Sequence, residues 1–143
     1  MINKQYEEIS YLREDGIRRT AIQHEAMEQE ALFSWATCME HIFPELSLLY
    51  HIPNGGRRDR AEAVNLKRQG VKAGVPDICL PVARGGFHGL YIELKAGDNK
   101  PTAKQKEWLA NLRAEGYKAT VCNGWDAARD TILNYLKTRG EKA

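Results

Sequence analysis

Apolar side chains are spaced three or four residues apart in some segments of the chain and two residues apart in others. The first spacing is typical of a helix with one buried face, and the second of a strand with one buried face. These patterns predict helices at 20–42, 58–69, 102–115 and 125–137, and strands at 46–52, 77–82, 88–95 and 117–122. The order α-β-α-β-β-α-β-α predicts an α/β fold in which helices pack against a mixed β-sheet.

Residues that favour helix ends and turns support several of these boundaries. Thr20 is suited to cap the first helix, and Pro44 follows its end. Gly70 and Gly116 come directly after the second and third helices, where glycine often closes a helix. A turn at 84–86 joins the second and third strands, which predicts that these two strands pair as a hairpin.

Length and composition are those of one globular domain. The chain has 143 residues, of which 43% are hydrophobic and 28% charged, as is ordinary for soluble proteins. We expect an arm or short helix at 1–19, one domain at 20–138 and a tail at 139–143. Because there is no long apolar stretch and no apolar signal-peptide core, we expect a cytoplasmic protein without membrane contact.

Cysteines and histidines do not form the patterns of a disulfide framework or a zinc site. The three cysteines, Cys38, Cys79 and Cys122, are far apart in the sequence and include no C-x-x-C pair. The four histidines show no H-x-x-x-H spacing. Buried, reduced thiols are therefore expected.

Positive charge is concentrated in one segment. The whole chain carries a net charge of +2, whereas residues 57–72 hold six basic and two acidic side chains. Residues 1–30 have the opposite balance, with four basic and seven acidic side chains. A local basic patch can bind a polyanion, although charge alone favours a solvated helix face.

The predicted strand at 88–95 carries charged residues in an unusual position. Side chains alternate faces on a strand, so Tyr91, Glu93 and Lys95 share one face, while Leu90, Ile92 and Leu94 share the other. If the apolar face packs into the core, an acid and a base project side by side from the opposite face. Such a face is either a solvated edge or a reaction site.

The predicted hairpin brings a second carboxylate to Glu93. Asp77 lies at the start of one strand, and Glu93 and Lys95 lie near the end of the next. Two carboxylates about 4 Å apart repel by roughly 4 kcal/mol at an effective dielectric near 20. A divalent cation between them removes this repulsion, and oxygen ligands of this kind suit Mg²⁺ or Mn²⁺. With Lys95 beside the metal, this set suits the hydrolysis of a phosphodiester.

The residues around these side chains resemble a known family. "VPD" (75–77), fifteen intervening residues and "ELK" (93–95) resemble the PD-(D/E)xK nuclease signature. Further segments resemble the VRR-NUC branch of that superfamily: "HIPNGGRRD" (51–59), "LKRQGVKAGVPD" (66–77), "LYIELKA" (90–96) and "QKEWLANLRAEGY" (105–117). The similarity extends from about residue 25 to residue 136, which is most of the chain. The chain resembles the small stand-alone members that are found in phages and prophages.

The resemblance implies a restriction-endonuclease-like core and a Mg²⁺- or Mn²⁺-dependent deoxyribonuclease. Small stand-alone members are associated with homodimers that resolve branched DNA such as Holliday junctions. The final helix (125–137) and the acidic N-terminal arm are alternative dimer surfaces. A bacterial or phage-infected cell is the corresponding location.

The resemblance also implies roles for individual residues. Asp77, Glu93 and the backbone carbonyl of Leu94 would bind the metal, and Lys95 would act on the attacking water or the transition state. The family's first helix supplies one more acid, in a pattern written E-x-x-x-(Q/E), which Glu25 matches.

Two of these positions have alternative interpretations. Glu28 is the alternative to Glu25, and either could be an exposed acid that the helix dipole favours. Gln105 matches a family glutamine near the scissile phosphate, but Thr102 and Gln105 also form a capping-box pattern. The two roles of Gln105 do not exclude one another.

Residues of the basic segment are expected to contact DNA. Glycines allow backbone N–H groups to approach a phosphate, although a plain strand–helix turn has a similar sequence. The predicted DNA-binding residues are Asn54, Gly55, Gly56, Arg57, Arg58, Lys67 and Lys72, with Lys100, Lys104 and Lys106 as further candidates.

The sequence thus favours a metal-dependent endonuclease that acts on branched or otherwise structured DNA. The alternative is a non-catalytic nucleic-acid-binding module with the same fold. A third hypothesis, an assembly protein with an incidental motif, predicts no salt-dependent binding to nucleic acid.

Overall fold

The structure is a computed structural model that describes residues 23–53 and 59–138. The elements in this part are α1 (23–39), a 3₁₀ helix (Pro44–Leu48), β1 (Tyr50–His51), α2 (Arg60–Arg68), β2 (Ile78–Leu80), β3 (Leu90–Lys95), α3 (Ala103–Ala114), β4 (Lys118–Asn123) and α4 (Trp125–Lys137). The predicted arm (1–19), the N-cap Thr20 and the tail (139–143) lie outside the described residues. No described helix is long and apolar enough to span a membrane.

The four strands form one mixed sheet in the order β1-β2-β3-β4. β1 pairs with β2 and β2 with β3 in antiparallel orientation, whereas β3 and β4 are parallel. α1, α3 and α4 lie against this sheet, and the predicted α/β fold is confirmed. The predicted hairpin between β2 and β3 is also present, with Ile78 opposite Ile92.

One face of β3 is anchored in the hydrophobic core. Leu90, Ile92 and Leu94 are buried in the same cluster as Leu32 of α1 and Ile132 of α4. Full burial of one such side chain contributes about 1.5–3 kcal/mol, so a rotation of β3 that exposed three of them would be strongly unfavourable. Glu93 and Lys95 are therefore held on the opposite face of the strand.

The stretch before β1 differs from the prediction. A strand was expected at 46–52, but the strand comprises only Tyr50–His51, and a 3₁₀ helix occupies Pro44–Leu48. Leu46 and Leu49 are both buried, three residues apart, which matches one turn of a 3₁₀ helix. Pro44 is favourable in the first turn of a helix because its missing N–H would have no helical partner there.

The second helix forms as expected, but its apolar residues are not buried. The segment contains the apolar residues Ala61, Val64 and Leu66, yet no residue of α2 is buried. Asp59 caps the helix by accepting a hydrogen bond from the Glu62 N–H at 2.8 Å. The helix predicted at 58–69 is therefore present, and its exposure agrees with the solvated helix face that its charge favoured.

Smaller differences concern strand length and a thiol. β2 ends at Leu80 rather than at residue 82, because Pro81 cannot donate to the ladder. Cys79 and Cys122 are buried free thiols as expected, whereas Cys38 is exposed on the surface of α1.

Candidate active site

Asp77 and Glu93 lie opposite one another where β2 and β3 begin and end. The pairing of Ile78 with Ile92, continued by one residue, places Asp77 opposite Glu93. Asp77 Oδ2 accepts a hydrogen bond from the Leu94 N–H at 2.9 Å. This bond directs the Asp77 carboxylate towards β3, beside Glu93.

Glu93 is a buried carboxylate with only one oxygen bonded. Its residue surface is 1% exposed. Oε1 accepts a hydrogen bond from Gln105 Nε2 at 2.7 Å and lies 3.2 Å from Lys95 Nζ. Oε2 is buried and has no hydrogen-bond partner in the described part of the chain. A buried charged oxygen without a partner is costly, so this atom favours a proton or a cation next to it.

The pKa values of both carboxyl groups are raised, because the groups are buried and little positive charge lies near them. Burial and the negative charge of Asp77 raise the pKa of Glu93 to about 7, and Lys95 only partly opposes this rise. Burial also raises the pKa of Asp77, against the Leu94 N–H and Lys95, which lower it. While both carboxyl groups are ionised, neither can donate to the other, and a cation between them would stabilise both.

Lys95 links the strand to the first helix. It is 8% exposed, and its Nζ lies 3.2 Å from Glu93 Oε1 and 3.8 Å from Glu25 Oε1. Glu28 lies elsewhere: its Oε2 accepts a hydrogen bond from the Trp125 N–H at 2.6 Å, at the start of α4. The structure thus brings Glu25 to the site and uses Glu28 to bind a helix end.

Gln105 caps α3, as its sequence context allowed, and also contacts Glu93. Its Oε1 accepts a hydrogen bond from the Thr102 N–H at 2.8 Å, which completes the capping box of α3. Its Nε2 donates to Glu93 Oε1. The capping bond fixes the orientation of the amide, which then aligns the Glu93 carboxylate.

The carbonyl of Leu94 receives no backbone hydrogen bond from the residue opposite it, because that residue is a proline. Lys95 O and Gly89 O accept bonds from the β4 side, so the peptide groups of even-numbered residues face β2. The β2–β3 register, continued by two residues, places Pro76 opposite Leu94. Proline has no N–H to donate, and the Leu94 carbonyl therefore remains suited to bind a cation.

Several residues that the sequence analysis did not single out hold Asp77 in place. The Asp77 carbonyl accepts a hydrogen bond from the Ile52 N–H at 2.7 Å and lies 2.8 Å from His51 Nδ1. Trp108 Nε1 donates to the Ala73 carbonyl at 3.1 Å, which ties the preceding loop to α3. The indole on the inner face of α3 was a usable signal in the sequence, but the bonds themselves join residues far apart in the chain.

The predicted DNA-binding residues are only partly visible. Lys67, in the last turn of α2, and Lys72, in the loop before β2, are both exposed. Lys100, Lys104 and Lys106 are exposed around the start of α3. The remaining predicted positions lie at 54–58, outside the described residues.

A metal ion at this site would need ligands in addition to the described carboxylates. Among the residues that the structure describes, no three His, Cys, Asp or Glu side chains form a metal-binding group. Mg²⁺ is commonly held by one or two carboxylates and keeps several of its waters. Asp77 and the unpaired oxygen of Glu93 fit that pattern, with the Leu94 carbonyl as a further oxygen ligand. The site can therefore accept a divalent cation next to a lysine ammonium.

Comparison with known proteins agrees with this geometry. The VRR-NUC domain family model matches residues 12–126. A solved structure described as a VRR-NUC domain protein is 36% identical, with a TM-score of 0.70, and the match covers 81% of this chain and 90% of that one. No curated protein matched the chain. The resemblance predicted from the segments at 51–59, 66–77, 90–96 and 105–117 is confirmed, and the chain belongs to the VRR-NUC family of nuclease-type proteins.

Proposed function

We propose that the protein is a metal-dependent endonuclease that hydrolyses phosphodiester bonds in branched DNA. The observation that carries this proposal is the buried Glu93 carboxylate, which lies between Asp77 and Lys95 and has one oxygen without a hydrogen-bond partner among the described residues. A domain that needed this strand only for packing would be more stable with an apolar residue at position 93.

Asp77, Glu93 and the Leu94 carbonyl would hold Mg²⁺ or Mn²⁺, with Glu25 nearby on the other side of Lys95. When bound, such a metal lowers the pKa of a water and stabilises negative charge on a phosphate oxygen. The protein keeps the two carboxylates in place by the Leu94 N–H on Asp77 and by Gln105 on Glu93. Both supports come from backbone or helix-cap geometry, so the site is preorganised.

Lys95 supplies the positive charge of the protein itself. Its ammonium group is held between Glu93 and Glu25 and has donors left for a water or a phosphate oxygen. In this position it orients the attacking water or neutralises charge on the phosphate in the transition state. Gln105 contributes by holding the Glu93 oxygen that faces Lys95.

Branched DNA is proposed as the substrate, with a homodimer as the active form. The support is membership of the VRR-NUC family, whose small stand-alone members are associated with branched DNA, together with a match that covers 90% of a VRR-NUC domain protein. Two sites held at a set distance would recognise the geometry of a junction. The same similarity supports a cytoplasmic site of action.

The proposal is tested by a cleavage panel. Four-way junction, flap, single-stranded and linear duplex DNA are each incubated with Mg²⁺, Mn²⁺ or EDTA, and the products are separated on denaturing gels. We expect metal-dependent cleavage with preference for the junction. Binding without cleavage on every substrate would instead support the non-catalytic module.

Substitution of Lys95 or Asp77 separates chemistry from folding. Lys95→Ala and Asp77→Asn are expected to lower the cleavage rate at least about a hundredfold, while DNA binding and the far-UV circular dichroism spectrum are retained. Lys137→Ala, at an exposed position at the end of α4, is the control and should cleave normally. Full activity of Lys95→Ala would refute the mechanism.

A further inference from the structure

The segment between β1 and β2 begins and ends at the candidate site. Ile52 N–H and His51 Nδ1 both bond the carbonyl of Asp77, so the chain from Pro53 to Pro76 leaves the sheet and returns to it beside the same residue. α2 is the helix within this segment. α2 therefore belongs to a segment that begins and ends at Asp77.

α2 is well specified at its ends but is not stabilised by packing. Asp59 caps its first turn, and Gly70, with φ of 98°, follows its last turn. None of its nine residues is buried. Isolated helices shorter than about 12–15 residues are marginal in water, so a contact with a partner would supply stability that α2 otherwise lacks.

The two sides of α2 differ in chemistry. Val64, Lys67 and Arg68 follow Arg60 by four, seven and eight positions, so all four side chains share one face of the helix. All four are exposed, and Val64 retains 49% of its surface. Leu66, which alone within α2 is half-buried, lies on the opposite side with Glu62, four residues earlier. The basic residues therefore face away from the rest of the described protein; we call them the outer face of α2.

The charge and width of the outer face suit the major groove of duplex DNA. Arg60 and Lys67 are two turns apart, about 10 Å along the axis. A helix with its side chains is about 10–12 Å across, and the major groove of DNA is about 12 Å wide, with phosphates along both edges. The exposed Val64 in the centre can contact an apolar base edge such as a thymine methyl group.

We infer that the outer face of α2, formed by Arg60, Val64, Lys67 and Arg68, docks on a duplex arm of the DNA substrate. This inference rests on the proposed nuclease function and adds the element that holds the arm. Docking stabilises α2, and because the segment returns at Asp77, it also places the duplex beside the candidate site. Lys72, exposed in the loop between α2 and β2, lies on the path between the two.

The inference is tested by equilibrium binding in EDTA, where no metal-dependent cleavage can interfere. The triple variant Arg60→Gln, Lys67→Gln, Arg68→Gln keeps helix propensity, because glutamine is as good a helix former as arginine and lysine. We expect at least about tenfold weaker binding of a linear duplex at moderate salt. The slope of log K against log salt should become shallower by about 2–3, since each lost phosphate contact removes about 0.9.

Two variants serve as matched controls. Glu62→Gln changes one charge on the opposite side of α2, and Lys137→Gln removes a positive charge from the end of α4. The Lys137→Gln variant should keep the salt slope of the wild type, and Glu62→Gln should not make it shallower. An unchanged salt slope in the triple variant would overturn the inference. If that variant instead changes from dimer to monomer in sedimentation, α2 is a contact between copies of the chain, which also overturns it.

Amide hydrogen exchange provides a second readout. The amides of α2 should exchange more slowly when duplex DNA is added to the wild type in EDTA, and the triple variant should show little of this protection. Equal exchange with and without DNA would contradict docking of α2, even if affinity had fallen for another reason.

A small substrate distinguishes failure of this inference from failure of the nuclease proposal. Thymidine 5′-p-nitrophenyl phosphate contains a phosphodiester but no duplex, so its Mn²⁺-dependent hydrolysis reports on the catalytic residues alone. The triple variant should hydrolyse it at the wild-type rate. A wild type that cleaves neither this ester nor any DNA would refute the nuclease proposal, while the salt slope would still decide the role of α2.

Discussion

At the scale of single residues, Glu93 is the least favourable and most informative group in the structure. An ionised carboxylate that is removed from water costs several kcal/mol unless its oxygens are bonded. Gln105 and Lys95 satisfy Oε1, but Oε2 has no partner among the described residues. The protein without metal is therefore under electrostatic strain at this position.

This strain predicts how stability depends on pH. Because the pKa of Glu93 is raised to about 7 in the folded protein, folding is favoured when Glu93 is protonated. That contribution is complete below the unfolded pKa near 4.3 and is lost as pH rises through about 7. In EDTA, the free energy of unfolding should fall over this range by up to about 3 kcal/mol. Denaturant titrations at pH 5 and pH 8 measure the change.

Glu93→Gln isolates the contribution of this carboxyl group. Glutamine cannot ionise, so the variant should gain stability relative to the wild type between pH 5 and pH 8. Glu107→Gln, on the exposed side of α3, is the matched control and should follow the wild type at both values. A Glu93→Gln protein with the full pH dependence of the wild type would show that other groups cause the effect.

The identity of the site residues was visible in the sequence, but their bonds were not. Asp77, Glu93 and Lys95 followed from strand alternation and the hairpin, which are local patterns. The choice between Glu25 and Glu28 depends on the position of α1 relative to Lys95 and to the start of α4. Since both acids lie near the start of the described part of α1, no periodicity in the sequence could separate them.

At the scale of secondary-structure elements, the loop before Asp77 depends on one glycine. Gly74 has φ of 88°, and a Cβ atom there would lie 2.9 Å from the backbone carbonyl carbon of Lys104. Trp108 bonds the neighbouring Ala73 carbonyl. Close contact between this loop and the first turn of α3 therefore fixes the entry of the chain into Asp77.

Gly74→Ala and Gly70→Ala form a matched pair. Both glycines have φ near 90°, but no atom lies within 4 Å of a Cβ placed at Gly70. Each alanine should cost about 1–2 kcal/mol of backbone strain, and Gly74→Ala about 1–3 kcal/mol more from the clash with α3. Denaturant unfolding measures the difference. Equal losses would show that the loop can move away from α3 without cost.

A second link between elements passes through Glu28. It bonds the first N–H of α4, and the preceding Gly124 N–H donates to the Lys95 carbonyl at 2.8 Å. Glu28 thus joins α1 to the end of β3, one helical turn from Glu25. Through this contact α1 is held at the distance at which Glu25 reaches Lys95.

Glu28→Ala and Glu28→Gln test this positioning role. Loss of a helix-capping bond should lower the free energy of unfolding by about 1 kcal/mol. If Glu28 also positions Glu25, Glu28→Ala should require more Mg²⁺ for half-maximal cleavage, and Glu28→Gln, which keeps an acceptor oxygen, should restore much of the wild-type requirement. An unchanged Mg²⁺ requirement in Glu28→Ala would limit Glu28 to stability.

At the scale of the whole molecule, the described part of the chain presents one candidate site, where the start of β2 meets the end of β3. Cleavage of two strands of a junction would then need two chains, in agreement with the proposed homodimer.

Subunit mixing tests the proposed dimer. A mixed dimer of wild-type and Lys95→Ala chains, isolated through two different affinity tags, should cut one strand of a four-way junction where the wild type cuts two. Denaturing gels of junctions labelled on each strand measure this. A protein that sediments as a monomer under cleavage conditions, and still cuts both strands, would contradict the dimer.

The sequence by itself determined the types of most elements, the pairing of β2 with β3 and the family. These depend on local signals: alternation that places Glu93 opposite the apolar face of β3, the capping box at Thr102, and the short motifs around Pro76 and Glu93. The predicted bounds of α4 agree with the structure at both ends. Local patterns suffice there because each is set by neighbours within a few residues.

Only the tertiary structure decided which acid reaches Lys95, that Gln105 both caps α3 and bonds Glu93, and that α2 has no buried face. It also replaced the expected strand at Leu46 by a 3₁₀ helix, because the burial of Leu46 and Leu49 depends on the core around them. Each of these features depends on which groups, remote in sequence, come close together in the fold. That is set by how the helices pack on the sheet, and no pattern along the chain specifies this packing.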